Sequence, residues 1–366
     1  MHLQPRRALA GLATVAVAVS LAACGSSSDS SSTASSGGSN TAAKAADGKT
    51  KVGVKTIGWV DGVLAGSFQQ RQYQAGKAAI AHVGWKLKTV DTKGDPATAA
   101  SGVSSLVTSG VDAIIMSAVT PSTARAGLLQ AKAKGIPVLM VGSAVDDSLD
   151  QSLGLTYIGE NEEDLTQPLA DLMLKSLKPG DEVGMLSTTS LASATRRATA
   201  LTAALEKGGV KVIRPLETGF DFSAGVKNAS TLLNQNPNMK AIVPIFDLWT
   251  AASVSAIKSA NKTSSVKVYS YYADAVSVPL MRKNPSLILG LADGNMVTSS
   301  YVAVDELLKH FTTDSAISAS SLDGKLTYTA VTPSTLPPGD QNGPVDPAAE
   351  AKPYYSQWDA AYSYGG

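Results

Sequence analysis

The chain has 366 residues, with 31 Lys and Arg against 30 Asp and Glu, 44% hydrophobic residues and a single cysteine. A near-neutral balance without basic clusters excludes a nucleic-acid partner and a polybasic membrane patch, and one cysteine excludes an internal disulfide and a cysteine-ligated metal. A chain of this length buries a sizeable core without such cross-links.

Arg6 and Arg7 precede an unbroken run of apolar and small residues, Ala8 to Ser20, and then Leu21-Ala22-Ala23-Cys24. The run is too short for a membrane span and reads as a secretory signal over residues 1–23. Its Leu-Ala-Ala-Cys ending resembles a bacterial lipobox, which implies a diacylglycerol thioether on Cys24 and removal of what precedes it. Arg6-Arg7 leaves general and twin-arginine export both open. Removing residues 1–23 takes away two basic residues and no acidic one, which leaves a net charge of −1. Residues 24–48, rich in Ser, Gly, Ala and Thr, read as a flexible tether. No other stretch is apolar for long enough to span a bilayer. The expectation is a lipid-anchored protein on the outer face of the cell membrane.

From Lys51 short β-branched runs alternate with Ala-rich helical stretches, each pair about the size of a βα unit. Val52–Ile57, Lys86–Val90, Val111–Met116 and Pro137–Val141 are predicted strands, with helices at Phe68–Val83, Pro96–Ser109 and Pro121–Lys134. Pro96 and Pro121 suit a first helical turn, Asp95 an N-cap, and Gly84, Gly110 and Gly135 left-handed helix ends. The alternation restarts with helices at Asp164–Leu177, Ser193–Lys207, Phe222–Asn234, Leu248–Ala260, Val276–Lys283 and Met296–His310. Strands between them are predicted at Glu182–Leu186, Val210–Leu216, Ala241–Phe246, Val266–Tyr271 and Leu287–Leu291. Strict alternation implies parallel sheets covered on both faces. Two runs of four or more units exceed one doubly wound domain, so two similar α/β lobes are expected.

Gly94 to Ala144 resembles the ribose/galactose-type family of periplasmic binding proteins. Asp95-Pro96 opens a helix, Gly110-Val111-Asp112 precedes a strand, Thr120-Pro121 follows it, and Gly135-Ile136-Pro137-Val138 turns into the next. Tyr157-Ile158-Gly159, Arg196-Arg197, Gly219-Phe220-Asp221 and Phe246-Asp247 continue the likeness, which covers roughly residues 51–332. It implies two doubly wound parallel-sheet lobes joined by three crossing strands and closing on a ligand. The first lobe would comprise residues 49–150 and 293–325, the second 151–292 and 326–332, with residues 333–366 as a tail against one lobe. It further implies a monomeric receptor of an ABC importer, with permease and ATPase on separate chains. A receptor presenting its ligand to a sensor or chemoreceptor would read identically.

No catalytic constellation and no cofactor motif is present: there is no H-E-x-x-H, no G-x-S-x-G and no G-x-x-x-x-G-K-[ST]. His82 and His310 read as ordinary helix residues, and Asp146/Asp147 as a solvated turn. An enzyme is not expected, and no metal site. In open α/β sheets ligands bind beyond the carboxyl ends of the strands. That rule selects Trp59, Asp61, Ser117, Gly142, Ser143, Arg197, Phe220, Phe246, Asp247, Tyr272, Asp274, Asp293 and Asn295. The resemblance matches Arg197 and Phe220 to a sugar-contacting arginine and a stacking aromatic, and puts Phe68 near the first-lobe aromatics. It also marks departures: Gly66 and Ser117 each replace an Asn, Gly142-Ser143 an Asp-Arg pair, Phe246 an Asn, Tyr272 an Asp and Leu291 a Gln. A buried hydroxyl without a partner costs on the order of 1–3 kcal/mol. Either the polar contacts have moved to Asp61, Asp247, Asp274, Asp293 and Asn295, or the ligand is less hydroxylated, such as a partly apolar anion of the aromatic-acid kind.

Overall fold

Alternating elements assemble into two parallel sheets, each with its own helices. The structure is a computed structural model that describes residues 43–142, 152–322, 324–339 and 343–365. The proposed signal, Cys24, most of the tether, Ser143 and Asp146/Asp147 lie outside the described residues.

A short strand β1 (Thr50–Val52) precedes the first sheet, which contains β2 (Thr56–Asp61), β3 (Lys86–Asp91), β4 (Ala113–Ser117), β5 (Val138–Val141) and β6 (Leu155–Ile158). They lie in the order β3-β2-β4-β5-β6, all parallel. Every residue of β4 and β5 is buried, as expected of central strands covered on both faces. The edge strand β3 keeps Lys86 and Lys88 in solvent or at its border, a charge pattern that discourages edge pairing. Helices α1 (Ser67–His82), α2 (Pro96–Thr108) and α3 (Arg125–Ala133) connect the strands. Asp95 caps α2 by accepting from Ala97 N and Thr98 N, and Gly84, Gly110 and Gly135 all have positive φ, as the sequence predicts.

The second lobe runs through α4 (Glu162–Ser176), β7 (Glu182–Ser187), α5 (Ala192–Lys207), β8 (Lys211–Val212), β9 (Leu216–Glu217), α6 (Phe222–Gln235), β10 (Met239–Pro244), α7 (Thr250–Ser259), β11 (Lys267–Tyr271), α8 (Ser277–Lys283) and β12 (Ile288–Asp293). Then α9 (Val297–Thr313) returns to the first lobe, and β13 (Thr329–Val331) rejoins the second sheet. The order there is β13-β12-β11-β10-β7-β8, with β9 also on β7, and only β13 is antiparallel. The strand predicted at Val210–Leu216 is two short strands, because Arg214-Pro215 interrupts the ladder. Pro215 has no N–H to give.

Chain crossings follow Ile158, Asp293 and Leu322, and the three crossing segments meet. Asn161 N donates to Tyr328 Oη at 2.9 Å, and a Cβ on Gly294 would lie 2.9 Å from the Tyr328 ring and 3.3 Å from Glu160 Oε2. β6 pairs with β5, so the first crossing comes after Ile158 rather than at residue 150. The tail touches both lobes. Arg282 donates to the Pro337 carbonyl at 2.6 Å, after which α10 (Pro347–Ala361) packs on α1 and α9, and β14 (Tyr362–Tyr364) pairs with β1. Trp358 of α10 is fully buried, and its Nε1 donates to Asp305 Oδ1 at 2.8 Å. No described helix is long and apolar enough to cross a membrane.

Candidate ligand-binding site

The carboxyl ends of the two sheets face each other, and the backbone there is strained. Lys93, Ala118, Tyr272 and Asn295, each just beyond a strand, have φ of 52°, 52°, 63° and 54°. Such left-handed conformations cost energy for non-glycine residues and gather at ligand-binding positions. Gly62 is required by close approach: a Cβ there would lie 1.8 Å from the Ala118 carbonyl oxygen.

Residues of the first lobe meet those of the second at this seam. Phe68 stacks on Tyr272 with ring centroids 3.8 Å apart and planes at 13°, and it packs with the second lobe's core rather than its own. Ser67 Oγ donates to Asp247 Oδ2 at 3.0 Å. Arg71 donates to the Ala273 carbonyl at 2.9 Å and lies 3.6 Å from Asp293 Oδ2. Thr120 Oγ1 donates to the Ser190 carbonyl at 2.7 Å. At the rim Phe220 is half-buried, parallel to Trp249 at 6.1 Å and edge-on to Phe246, and it would crowd a Cβ on Gly94.

Arg197 does not stand open in the cleft. It is 1% exposed. Its Nε donates to Glu162 Oε2 at 2.6 Å, and a terminal nitrogen donates to Glu160 Oε1 at 2.8 Å and to Tyr272 Oη. Tyr272 Oη in turn donates to Glu160 Oε1 at 2.6 Å. The guanidinium lies 4.8 Å from the Tyr272 ring centroid. One positive charge thus serves two buried carboxyls. Burial, with the Glu162 charge added, holds the Glu160 carboxyl well above its usual range against the pull of Arg197, and burial raises the Glu162 carboxyl as well. Only the second terminal nitrogen of Arg197 lacks a partner.

The remaining predicted residues divide into two groups. Trp59 is core: fully buried, edge-on to Tyr73 at 5.6 Å, its Nε1 on Asp61 Oδ2 at 3.3 Å. Phe246 also packs inward. Asp247, Tyr272, Asp274, Asp293 and the half-buried Asn295 line the second-lobe side of the seam, and Ser117 holds Gln72 Oε1 at 2.6 Å on the first. Sequence reasoning missed Ser67, Gln69, Arg71, Gln72, Glu160 and Glu162. The buried stripe of α1 begins Phe68, Gln69, Gln72 and becomes apolar only from Ala75. A polar start to a buried helical stripe, just beyond a strand end, is the signal that would have found the two α1 side chains Gln69 and Gln72.

Asp61 gives a pH test. It is fully buried and accepts from Trp59 Nε1 at 3.3 Å and Val63 N at 3.1 Å. Burial outweighs both bonds and pushes its carboxyl up to about 7. The folded chain therefore keeps a proton that the unfolded chain releases near pH 4, a stabilisation present below about 4 and lost as pH rises to about 7. Thermal unfolding across that window is expected to show a flatter pH slope in Asp61→Asn than in the parent; equal slopes would rule the assignment out.

The model of the periplasmic binding protein domain family matches residues 57–312. The D-ribose/D-allose-binding protein of Pseudomonas aeruginosa is 24% identical over 210 residues, 57% of this chain and 65% of that one. The ribose import binding protein RbsB of Bacillus subtilis is 25% identical over 194 residues, 53% and 62% of the two chains. The chain thus spans slightly less than two thirds of these relatives. An ABC transporter periplasmic solute-binding protein from Actinobacillus succinogenes, with bound D-allose, superposes with a TM-score of 0.66 at 16% identity, over 77% of this chain and 98% of that one.

Proposed function

The chain belongs to the periplasmic binding protein family, a family of binders and not of enzymes, and we propose that it captures a sugar or sugar-like solute outside the cytoplasm for an ABC importer. The permease and ATPase are separate chains, and lipid on Cys24 holds the receptor, a monomer, at the membrane. One observation carries the ligand reading: the seam collects buried polar atoms without a hydrogen-bond partner, the acceptors Gln69 Oε1 and Glu160 Oε2 and the donors Arg71 Nη2 and Arg197 Nη1. Buried acceptors and donors together call for groups that both donate and accept, as the hydroxyls of a polyol do. An aromatic acid brings acceptors alone and would leave Gln69 Oε1 and Glu160 Oε2 without donors, so the anionic alternative is disfavoured. The names of the two relatives, both ribose-related, point the same way.

Two measurements test this. Purified protein should gain about 2.7 kcal/mol of stability in a sugar at 100 times its dissociation constant, read as a raised melting temperature against a panel including D-ribose and D-allose. A panel without a single stabilising sugar would sink the sugar reading. Cys24→Ala should move the protein from a salt-washed membrane pellet to the soluble fraction; retention in the pellet would exclude the lipid anchor.

A further inference from the structure

The first turns of α1 carry two stripes. Phe68, Gln69, Gln72 and Ala75 are buried, whereas Ser67, Gln70, Arg71 and Gln74 follow the i, i+3, i+4, i+7 spacing of a second, polar face. That polar face walls a groove of about 310 Å³ at the mouth of the seam. Ala275 of the second lobe and Gly343, Val345 and Pro347 of the tail complete it. The tail wall is fixed where Asp346 caps α10, accepting from Ala348 N at 3.0 Å. Gly343 lets the tail press on the guanidinium, since a Cβ there would lie 2.6 Å from Arg71 Nη1 and 3.7 Å from the Ala273 carbonyl oxygen.

The groove is continuous with the solute site. Ser67 Oγ reaches Asp247 at 3.0 Å and Arg71 Nη1 the Ala273 carbonyl at 2.9 Å, so two of its lining side chains also hold the seam. The side edge of the Arg71 guanidinium, Nε and Nη2, is buried and has no hydrogen-bond partner. Its charge is nevertheless met. Asp293 Oδ2 lies 3.6 Å from Nη2, near enough for attraction and too far for a hydrogen bond. Donors left without partners beside a balanced charge call for neutral acceptors rather than for another anion. Gln70 and Gln74, both exposed, each add an amide that donates and accepts, and Ala275, Val345 and Pro347 add a small apolar surface. This mixture complements a sugar ring, which carries hydroxyls around its edge and C–H groups on its faces. The volume lies at the small end of the range for ligand pockets, about 300–1,000 Å³, and suits one ring.

We propose that the groove is an outer subsite for a second sugar unit, so that the solute is a disaccharide or longer oligosaccharide with one ring in the seam and the next against α1 and the tail. This rests on the solute-binding reading above and extends its solute from one ring to two.

Calorimetry on the full chain tests it with maltose, cellobiose, lactose and xylobiose, each against the monosaccharides it contains. At least one disaccharide is expected to bind about tenfold tighter than its parts, a difference of about 1.4 kcal/mol and the net worth of one or two hydrogen bonds. Val345→Trp fills the groove, and Gln70→Ala with Gln74→Ala strips its exposed amides. Each change should cut the preference at least threefold, while monosaccharide affinity and melting temperature stay near the parent's. If Val345→Trp fails to fold, the exposed glutamine pair decides alone. If no disaccharide outbinds its parts, or if the folded variants keep the full preference, the proposal is overturned. Monosaccharide binding without any gain from a second ring would overturn it alone, whereas a panel in which no sugar of either length binds would overturn the sugar reading with it.

Discussion

Replacing Arg197 with Met is expected to cost the fold about 3–5 kcal/mol at pH 8, the usual loss when one partner of a buried ion pair is removed. The guanidinium pairs with both Glu160 and Glu162, and all three side chains are 2% exposed or less. Without it both carboxyls must ionise in an apolar setting or take up protons. Proton uptake is easier in acid, so the loss should shrink markedly at pH 5. Adding Glu160→Gln and Glu162→Gln to Arg197→Met should recover much of the stability, because the pair is then replaced rather than broken. Urea unfolding at the two pH values reads all three. A loss below about 1 kcal/mol, equal at both pH values, would mean that the network contributes nothing.

The second large effect lies in the tail. Trp358→Ala should destabilise by about 3–5 kcal/mol, the range for emptying a buried aromatic site. Trp358 is fully buried between α1 and α9, beside His82, Tyr354 and Tyr355, and its indole N–H is satisfied by Asp305. Deleting residues 347–366 should do at least as much damage, since it bares Tyr301 and Leu307 along with the Trp358 site. If the truncated chain melts with the parent, the tail is an appendage and not part of the first lobe.

Much of the architecture was legible in the residues, because the signals were local. Asp95, Pro96 and the glycines at 84, 110 and 135 set helix ends within a few residues of themselves, and β-branched runs marked the strands. The tail's course was not legible. Its helix contains Pro353 in its interior and carries aromatics on several faces, so no single apolar stripe named its partner. The site was half legible for a similar reason. The strand-end rule found Asp247, Asp274 and Asp293, yet their partners Ser67 and Arg71 lie some 180 to 220 positions away. Arg197 was found as a motif match, but its commitment to Glu160 and Glu162 depends on how α5 packs against the start of α4. Trp59 was placed in the cleft by its position after a strand, where the space left by Gly76 instead draws it into the core.

The pairing of β1 with β14 has a consequence for the order in which the molecule can be completed. The first lobe is begun at residue 50 and closed only by α9, α10 and β14, while nearly the whole second lobe is made in between. The buried stripe of α1 rests on α9, and about 140 residues separate the end of β6 from the start of that helix. At roughly 5–20 residues per second of synthesis, the first sheet waits on the order of ten seconds with α1 uncovered on that side. All of the second sheet except β13 is by then made, so most of the second lobe can fold before the first although it is encoded after it. The apolar part of the waiting stripe is Ala75, Gly76, Ala79 and Ile80. Small side chains there offer little surface for a stray partner to hold, and they suit a face that must stay bare until its own helix arrives.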